Sequence, residues 1–476
     1  MKATAIPIRP LLAAFATLAI SANAQNTTPA APPSPVVRES GEILTGTAGT
    51  PTGERIAEPA DALMTGIPKW WNGKRMFSGD LNPIFEARDR LDAKGIDLVS
   101  NYRGALFGIL ASQGGSRATW LDQIDLGATL KPDEMFDNKS LEGLLAFVNF
   151  RYRDNSPPNN PNTTVQADSM FNPTNWGSGT QVRLLAFGVQ ATSNDLFPIE
   201  DLLTLRAGWI QPQREFIDQP LSKIFQNNAI NSNKGIGGSI PFGSSFTTWG
   251  GTLNIAAHSF YLKNGIFMSY PNPGATANHG FAFSGNSADP SLNGLFYMGE
   301  AGWKPEFGED ALPGRYAFGS YFYGAPGGLT TTWSGDTIAG LYGFYFQADQ
   351  MLLREPSTGT QRSSEGLSAF NLLTFCPSKV EQNIFPFYFQ SGLAYTGPLP
   401  SRDKDIIAAA IGYGLYSEQG TGNPGPNYTA VIEICYRVQL GGWTYIEPYF
   451  QYIVRPDGTS DVANAAILGF ETGVVF

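Results

Sequence analysis

Toward the C-terminus the chain sets a charged or amide side chain at every second position. Glu433 and Arg437 alternate with Ile432, Ile434, Tyr436 and Val438, while Glu447 and Gln451 lie on the face opposite Ile446, Phe450 and Tyr452. A period of two marks a strand with one apolar and one polar face. Carboxylate, guanidinium and amide groups in rows hydrogen-bond to hydroxyls and water, and pair with one another. Tyr445, with Tyr321, Tyr323 and Tyr449, adds flat rings on which the C–H face of a solute can stack. Earlier segments carry the same alternation through Arg103, then Asn149, Arg151 and Arg153, then Arg183, Arg206, Gln347 and Asp349. Together these are the candidate functional residues, and none of them is a nucleophile set beside a base.

Other chemistries find less support. Of the two histidines, His258 falls on a polar strand face with no neighbouring carboxylate and nucleophile, which reads as a hydrogen-bonded wall residue rather than a catalytic one. Asp154, Asn155, Asn172 and Asp289 offer oxygen ligands for Ca2+ in loops, but without the spacing of a cation-binding loop, so no cofactor is implied. The glycines around Gly235 and Gly237 lack a preceding strand and a following Lys-Ser/Thr, and read as a loop rather than a phosphate cradle. Cys376 beside Pro377 and mid-strand Cys435 have no metal-ligand spacing and read as two isolated thiols rather than a disulfide.

The elements that would carry these residues are strands. Charged residues are 15% of the chain and aromatics 13%, with 54 Gly and 34 Pro, a composition of strands and turns. A mean hydropathy of -0.15, with no long apolar run beyond the N-terminus, excludes a helical membrane protein. Residues 1–24 place Lys2 and Arg9 ahead of an apolar stretch and end in Ala22-Asn23-Ala24, the pattern of a secretory signal peptide. Without Lys2 and Arg9 the 31 basic residues become 29 against 41 acidic ones, a formal charge of -12, which excludes a nucleic-acid partner. Residues 25–67 read as a flexible tail rich in Pro, Ala and Thr. Residues 68–95 lead in through a short helix over 84–94, capped by Asn82 and Pro83 and ended by Gly95.

From residue 96 to 476 about sixteen strand-like segments follow: 96–111, 120–131, 141–154, 180–193, 201–211, 247–262, 265–271, 293–304, 315–324, 339–352, 366–376, 384–397, 404–416, 427–440, 443–454 and 465–476. That number closes a barrel around an aqueous channel. Short turns at Lys263-Asn264-Gly265 and Gly441-Gly442 alternate with long connections at 155–179, 212–246, 272–293, 325–338, 417–427 and 455–464, as in barrels with short periplasmic turns and long external loops. The connection 353–365 is long where a short turn is expected. Strand parity then sends Tyr342, Phe344, Phe346 and Ala348 to lipid, with Phe387, Phe389, Leu393 and Tyr395, and sends the candidate residues inward. The expected fold is all-β, a transmembrane antiparallel barrel in which a cationic wall faces a mainly anionic one.

The stretches Gly79-Asp80 with Arg88, Leu91 and Lys94-Gly95-Ile96, then Leu312-Pro313-Gly314-Arg315-Tyr316, then 343–350, Glu365-Gly366-Leu367 with Phe370, 392–403, and 433–476 with Glu447-Pro448 and Arg455-Pro456 resemble the carbohydrate-selective outer-membrane porins of the OprB type. The resemblance spans 79–476. It departs at Leu81-Asn82-Pro83 and shows little family pattern in 155–179 and 212–246, where substrate preference would diverge. It implies a bacterial outer-membrane channel for passive diffusion of mono- and small oligosaccharides, with carbohydrates and membrane lipids as partners. It also implies that the barrel-assembly machinery reads the terminal aromatic Phe476. Two alternatives stay open, a channel for other solutes and a secreted all-β sugar-binding protein, and each inward charge serves either wall pairing or solute contact. A barrel is expected to need detergent for solubility and to migrate faster on a gel unheated than boiled; identical mobilities in a freely soluble protein would favour the secreted alternative.

Overall fold

In the computed structural model sixteen antiparallel strands close on themselves, as the alternation predicts. The structure describes residues 87–475 apart from 89, 155–159, 166–170, 177–180, 194–201, 218, 233–234, 236–246, 270–278, 282, 285–293, 325–329, 332–336, 339, 357–362, 377–383, 417–427 and 441–443, and the described residues belong to one compact unit. The signal-peptide and tail segments, Asn82, Pro83, Asn155, Asp289, Gly441, Gly442 and Phe476 lie outside the described residues.

The strands are β1 Ile96–Ala111, β2 Arg117–Leu130, β3 Leu144–Asp154, β4 Gln181–Thr192, β5 Leu203–Ile210, β6 Thr248–Ala257, β7 Phe260–Ser269 and β8 Gly294–Trp303. They continue with β9 Leu312–Tyr323, β10 Leu341–Arg354, β11 Gly366–Phe375, β12 Phe387–Thr396, β13 Ile406–Leu415, β14 Tyr428–Gln439, β15 Thr444–Val454 and β16 Ala465–Val475. Each pairs with its neighbour in sequence, and β16 returns to β1 with Arg103 opposite Gly473. Closure leaves no end strand to the sheet, and the part of β4 before Phe187, which β5 does not reach, is met by His279 instead, as the hydrocarbon of a membrane requires.

The two faces of the wall separate as parity requires. Ile432 and Ile434 are 47% and 49% exposed on the outside, whereas Glu433 between them is wholly buried on the inside. Tyr342, Phe344, Phe346 and Leu393 are outward and exposed, while Ala348 is too small to project and is buried. Outward aromatics gather at one rim, where Phe260 stacks on Trp303 and Trp303 packs against Phe307 and Tyr316. On the inner face large rings lie against glycines of the adjacent strand. Tyr345 covers its register partner Gly319 so closely that a Cβ there would sit 2.0 Å from the ring. Ring-over-glycine pairs of this kind fix register without filling the lumen.

Ahead of the barrel, Ala87, Arg88 and Arg90 to Asp92 are helical, and Gly95 stops the helix with φ +74°, where glycine carries no steric penalty. Lys263-Asn264-Gly265, expected as a turn, lies inside β7. The two-residue turn falls at His258-Ser259, with His258 at φ +54°. Asn-Gly is turn chemistry, but here Asn264 accepts a 2.6 Å hydrogen bond from the Tyr297 hydroxyl, and Gly265 makes room for Phe216 and Phe267. His258 is therefore exposed at the turn rather than lumenal. Cys376 and Cys435 are buried free thiols.

The turn between β12 and β13 is tied down by one carboxylate. Asp405 accepts from Arg402 at 2.8 and 2.7 Å, from the Tyr436 hydroxyl at 2.7 Å and from the Gln439 N–H at 3.0 Å. Partial burial works against its charged form, yet these hydrogen bonds outweigh it and hold its carboxyl below the usual aspartate value. A depressed folded-state value stabilises the fold above the unfolded value, and that stability is lost as pH falls through the folded value. Asp405→Asn is expected to lower stability at neutral pH by ~1–3 kcal/mol, measured by urea unfolding from lipid. The gap from wild type should narrow below about pH 4; a gap independent of pH would contradict the assignment.

Candidate pore constriction

Residues 211–232 leave the wall after β5 and fold into the barrel rather than outside it. This corrects the expectation of an external loop for the described residues of 212–232, and Pro173 and Asn175, which meet the segment and the wall from inside, correct it for their part of 155–179. The segment holds a short helix Pro212–Phe216, a 3-10 turn Pro220–Ile224 and a helical turn Asn228–Asn231. Of its described residues, all but Arg214 and Lys223 are buried. Phe216, Ile217, Leu221, Ile224, Phe225 and Ile230 pack with the aromatic inner face of the wall, including Phe267, Phe370 and Tyr388. Six large apolar side chains in an exposed loop would have cost burial free energy, and that composition was the signal for an inward fold.

Inside the barrel a segment of irregular backbone finds no strand to pair with, so side chains of the wall supply its hydrogen bonds. The Glu433 carboxylate accepts from the Gln226 N–H at 2.6 Å and the Asn227 N–H at 2.8 Å. Gln451 accepts from Asn227 Nδ2 at 3.1 Å and donates to the Pro173 carbonyl at 3.0 Å, on a second inward stretch. Gln347 donates to the Phe216 carbonyl at 2.9 Å, and the Tyr388 hydroxyl reaches the Ala229 carbonyl at 2.8 Å. Gln219 donates to the Asn371 carbonyl at 2.8 Å and accepts from Gln390 at 3.2 Å. Asn175 joins the two inward stretches through Asn231 at 2.8 Å and Ser232 at 3.0 Å.

The charged candidates lie on two arcs. Arg103, Arg151, Arg153, Arg183 and Arg206 line β1 to β5, and Lys263 on β7, absent from the expectation because of the displaced turn, extends that arc. Asp349, Glu433 and Glu447 lie across β10 to β15, joined by Glu471 on β16. Each arc contains opposite charges. Arg151 grips Asp125 through Nε at 2.5 Å and Nη2 at 2.9 Å, and Arg206 lies 3.4 Å from Glu215 and 4.0 Å over the Phe147 ring. On the acidic arc, Arg315 pairs with Asp349 at 3.0 Å and donates to Gln347 at 2.8 Å, and Arg437 pairs with Glu447 at 2.6 Å. Glu300, also unpredicted, accepts from Tyr261, Tyr345 and Gln347 at 2.6 to 2.9 Å. The same parity that found Gln347 carries Glu300, Arg315 and Glu471.

The remaining candidates divide. Arg153 donates to Gln123 at 2.8 Å and the Asn175 carbonyl at 2.9 Å, and Arg103 sits 5.3 Å from the Trp176 ring centre. Asn149 is half-buried across Gly127. Tyr445 lies over its register partner Gly473 with the Arg437 guanidinium 4.1 Å from its ring centre, and donates its hydroxyl to Glu471. Tyr321 and Tyr449 likewise lie against Gly343 and Gly469. These rings are occupied by the wall and do not present free stacking faces. His279 is not lumenal: its carbonyl accepts from the Leu184 N–H at 3.0 Å and its Nδ1 lies 2.8 Å from the Val182 carbonyl.

A barrel of sixteen strands is wide enough to enclose an aqueous bore, which the inward segment narrows here from within. The family model described as carbohydrate-selective porin, OprB family, matches residues 158–476. The chain belongs to that family. Its place is the bacterial outer membrane. Porin B of Pseudomonas aeruginosa is 27% identical over 251 residues, 46% of this chain and 53% of that protein, so the chain spans about half the length of this curated relative. Among solved structures, the high-pH structure of Pseudomonas putida OprB matches with a TM-score of 0.69 at 22% identity, over 82% of this chain and 96% of that one.

Within this porin, Glu433 is the anchor of the inward segment. Glu433→Ala leaves two buried N–H groups without acceptors, at a cost of ~1–3 kcal/mol each. The variant is expected to insert and fold but to show larger or noisier single-channel currents than wild type, and faster proteolysis within 211–232. Currents and cleavage matching wild type would mean that Glu433 does not hold the segment.

Proposed function

We propose that the protein is a passive channel for carbohydrates, giving mono- and small oligosaccharides a path across the outer membrane through a polar, charge-segregated lumen. One observation carries this reading. The inward segment brings the amides of Gln219, Gln226 and Asn227 beside those of Gln347, Gln390 and Gln451 on the wall. These amides are buried and satisfied by one another and by the wall, so they fix an uncharged, hydrogen-bonded narrowing inside the barrel. Membership of the family supports the same substrate class. The flanking charges, mostly paired, orient water and disfavour apolar solutes.

The candidate residues named from the sequence act in this reading as wall and pathway. Arg151, Gln347, Asp349, Glu433, Arg437, Glu447 and Gln451 hold the constriction in place, and Arg103, Asn149, Arg153, Arg183 and Arg206 line the opposite arc. Tyr445 serves the wall. The reading contains no catalytic step and calls on no cofactor. Its other partners are lipid on the outward face and the assembly machinery at the last strand and Phe476.

Vesicles reconstituted with the full chain should swell in isotonic glucose and more slowly in sucrose. Correct insertion, judged by heat-modifiable mobility, without permeability to any sugar would reject the reading.

A further inference from the structure

Arg183 differs from every other candidate cation. It is 94% buried, its exposure being 6%, and its Nε and Nη2 have no hydrogen-bond partner among the described residues. It faces inward, since Val182 beside it is 57% exposed on the outer face and its register partner is the lumenal Arg151. Among the described residues, the charges that act on it are Arg151 and Arg214, both positive. Arg151 offers it no relief, because its own counter-charge is Asp125. A buried cation without a counter-charge, among like charges, is costly, and the cost is relieved when an anion arrives.

The shape of the free group narrows the anion. Nε and Nη2 form one edge of the guanidinium, two parallel donors that match the two oxygens of a carboxylate. The neighbouring strand displays that match: Arg151 uses the same two atoms to hold the two oxygens of Asp125. A neutral hydroxyl would satisfy a donor but leave the charge.

We propose that Arg183 is a carboxylate-binding position of the lumen, so that the channel takes sugar acids, such as a hexuronate, in preference to neutral sugars of the same size. Both donor atoms are covered in the structure, so binding requires the Arg183 side chain to swing out of its buried position. The inference rests on the carbohydrate-channel reading and extends it to a charged substrate class.

The test compares influx of glucuronate and glucose into vesicles carrying the full chain at neutral pH, for wild type, Arg183→Gln and Arg183→Lys. Heat-modifiable mobility serves as the folding check. Wild type is expected to favour glucuronate. The glucuronate-to-glucose ratio should fall about tenfold in Arg183→Gln, the loss of one charge-assisted bidentate contact, and Arg183→Lys should recover only part, since an ammonium lacks the fork. A ratio unchanged in Arg183→Gln overturns the carboxylate position and leaves the porin reading intact. Wild-type vesicles closed to both sugars would overturn the porin reading itself. An unchanged ratio accompanied by lower chloride-over-potassium selectivity would assign Arg183 to inorganic anions and overturn the sugar-acid assignment.

Discussion

Chain placed inside a barrel has no strands of its own to pair with, and its backbone must still find donors and acceptors. That constraint organises this molecule. The wall answers it with side chains chosen for reach and charge: Glu433 takes two successive N–H groups, Gln451 bridges two inward stretches, and Gln219 and Gln390 meet amide to amide. Glu433, Gln451 and Gln390 each have a carbon stem on a strand whose other face meets lipid. One alternating pattern thus fixes both the membrane position of the barrel and the position of the segment within it.

Polar wall residues that hold the segment must themselves be held. Arg437 sits between Glu447 and the Tyr445 ring, and Arg315 between Asp349 and Gln347. In a desolvated interior such pairs contribute little net stability but fix geometry, because breaking one leaves a charge alone. The tyrosines extend this economy of space. Lying flat over glycines, they leave the middle of the barrel to the inward segment and give up their faces to the wall.

The phase of the wall was legible because strand periodicity is local and survives in fragments. Glu433 and Ile434 need only each other to declare which side each takes. The β6–β7 turn was misplaced for the opposite reason: Asn264-Gly265 satisfies a turn rule locally, and only the distant Phe216 reveals that the glycine is there for clearance. The inward direction of 211–232 was likewise invisible to period. Its excess of Phe, Ile and Leu was present in the sequence, but no pairing rule says which surface those residues meet. That Arg183 lacks a partner among the described residues could not be read at all, since partners across strands are a property of register rather than composition.

Where β5 departs to send its chain inside, the edge of β4 beyond Phe187 loses its neighbour. His279 meets that edge through Leu184 and Val182, Thr247 reaches the Leu185 carbonyl at 2.7 Å, and Phe283 covers Trp209 and Trp249 on the outer surface. A few residues of a surface loop therefore do the work of a missing strand. Surface loops ordinarily tolerate gain or loss of residues. Around His279 that tolerance is withdrawn, because a change in length there would unseat the groups that close the edge of β4.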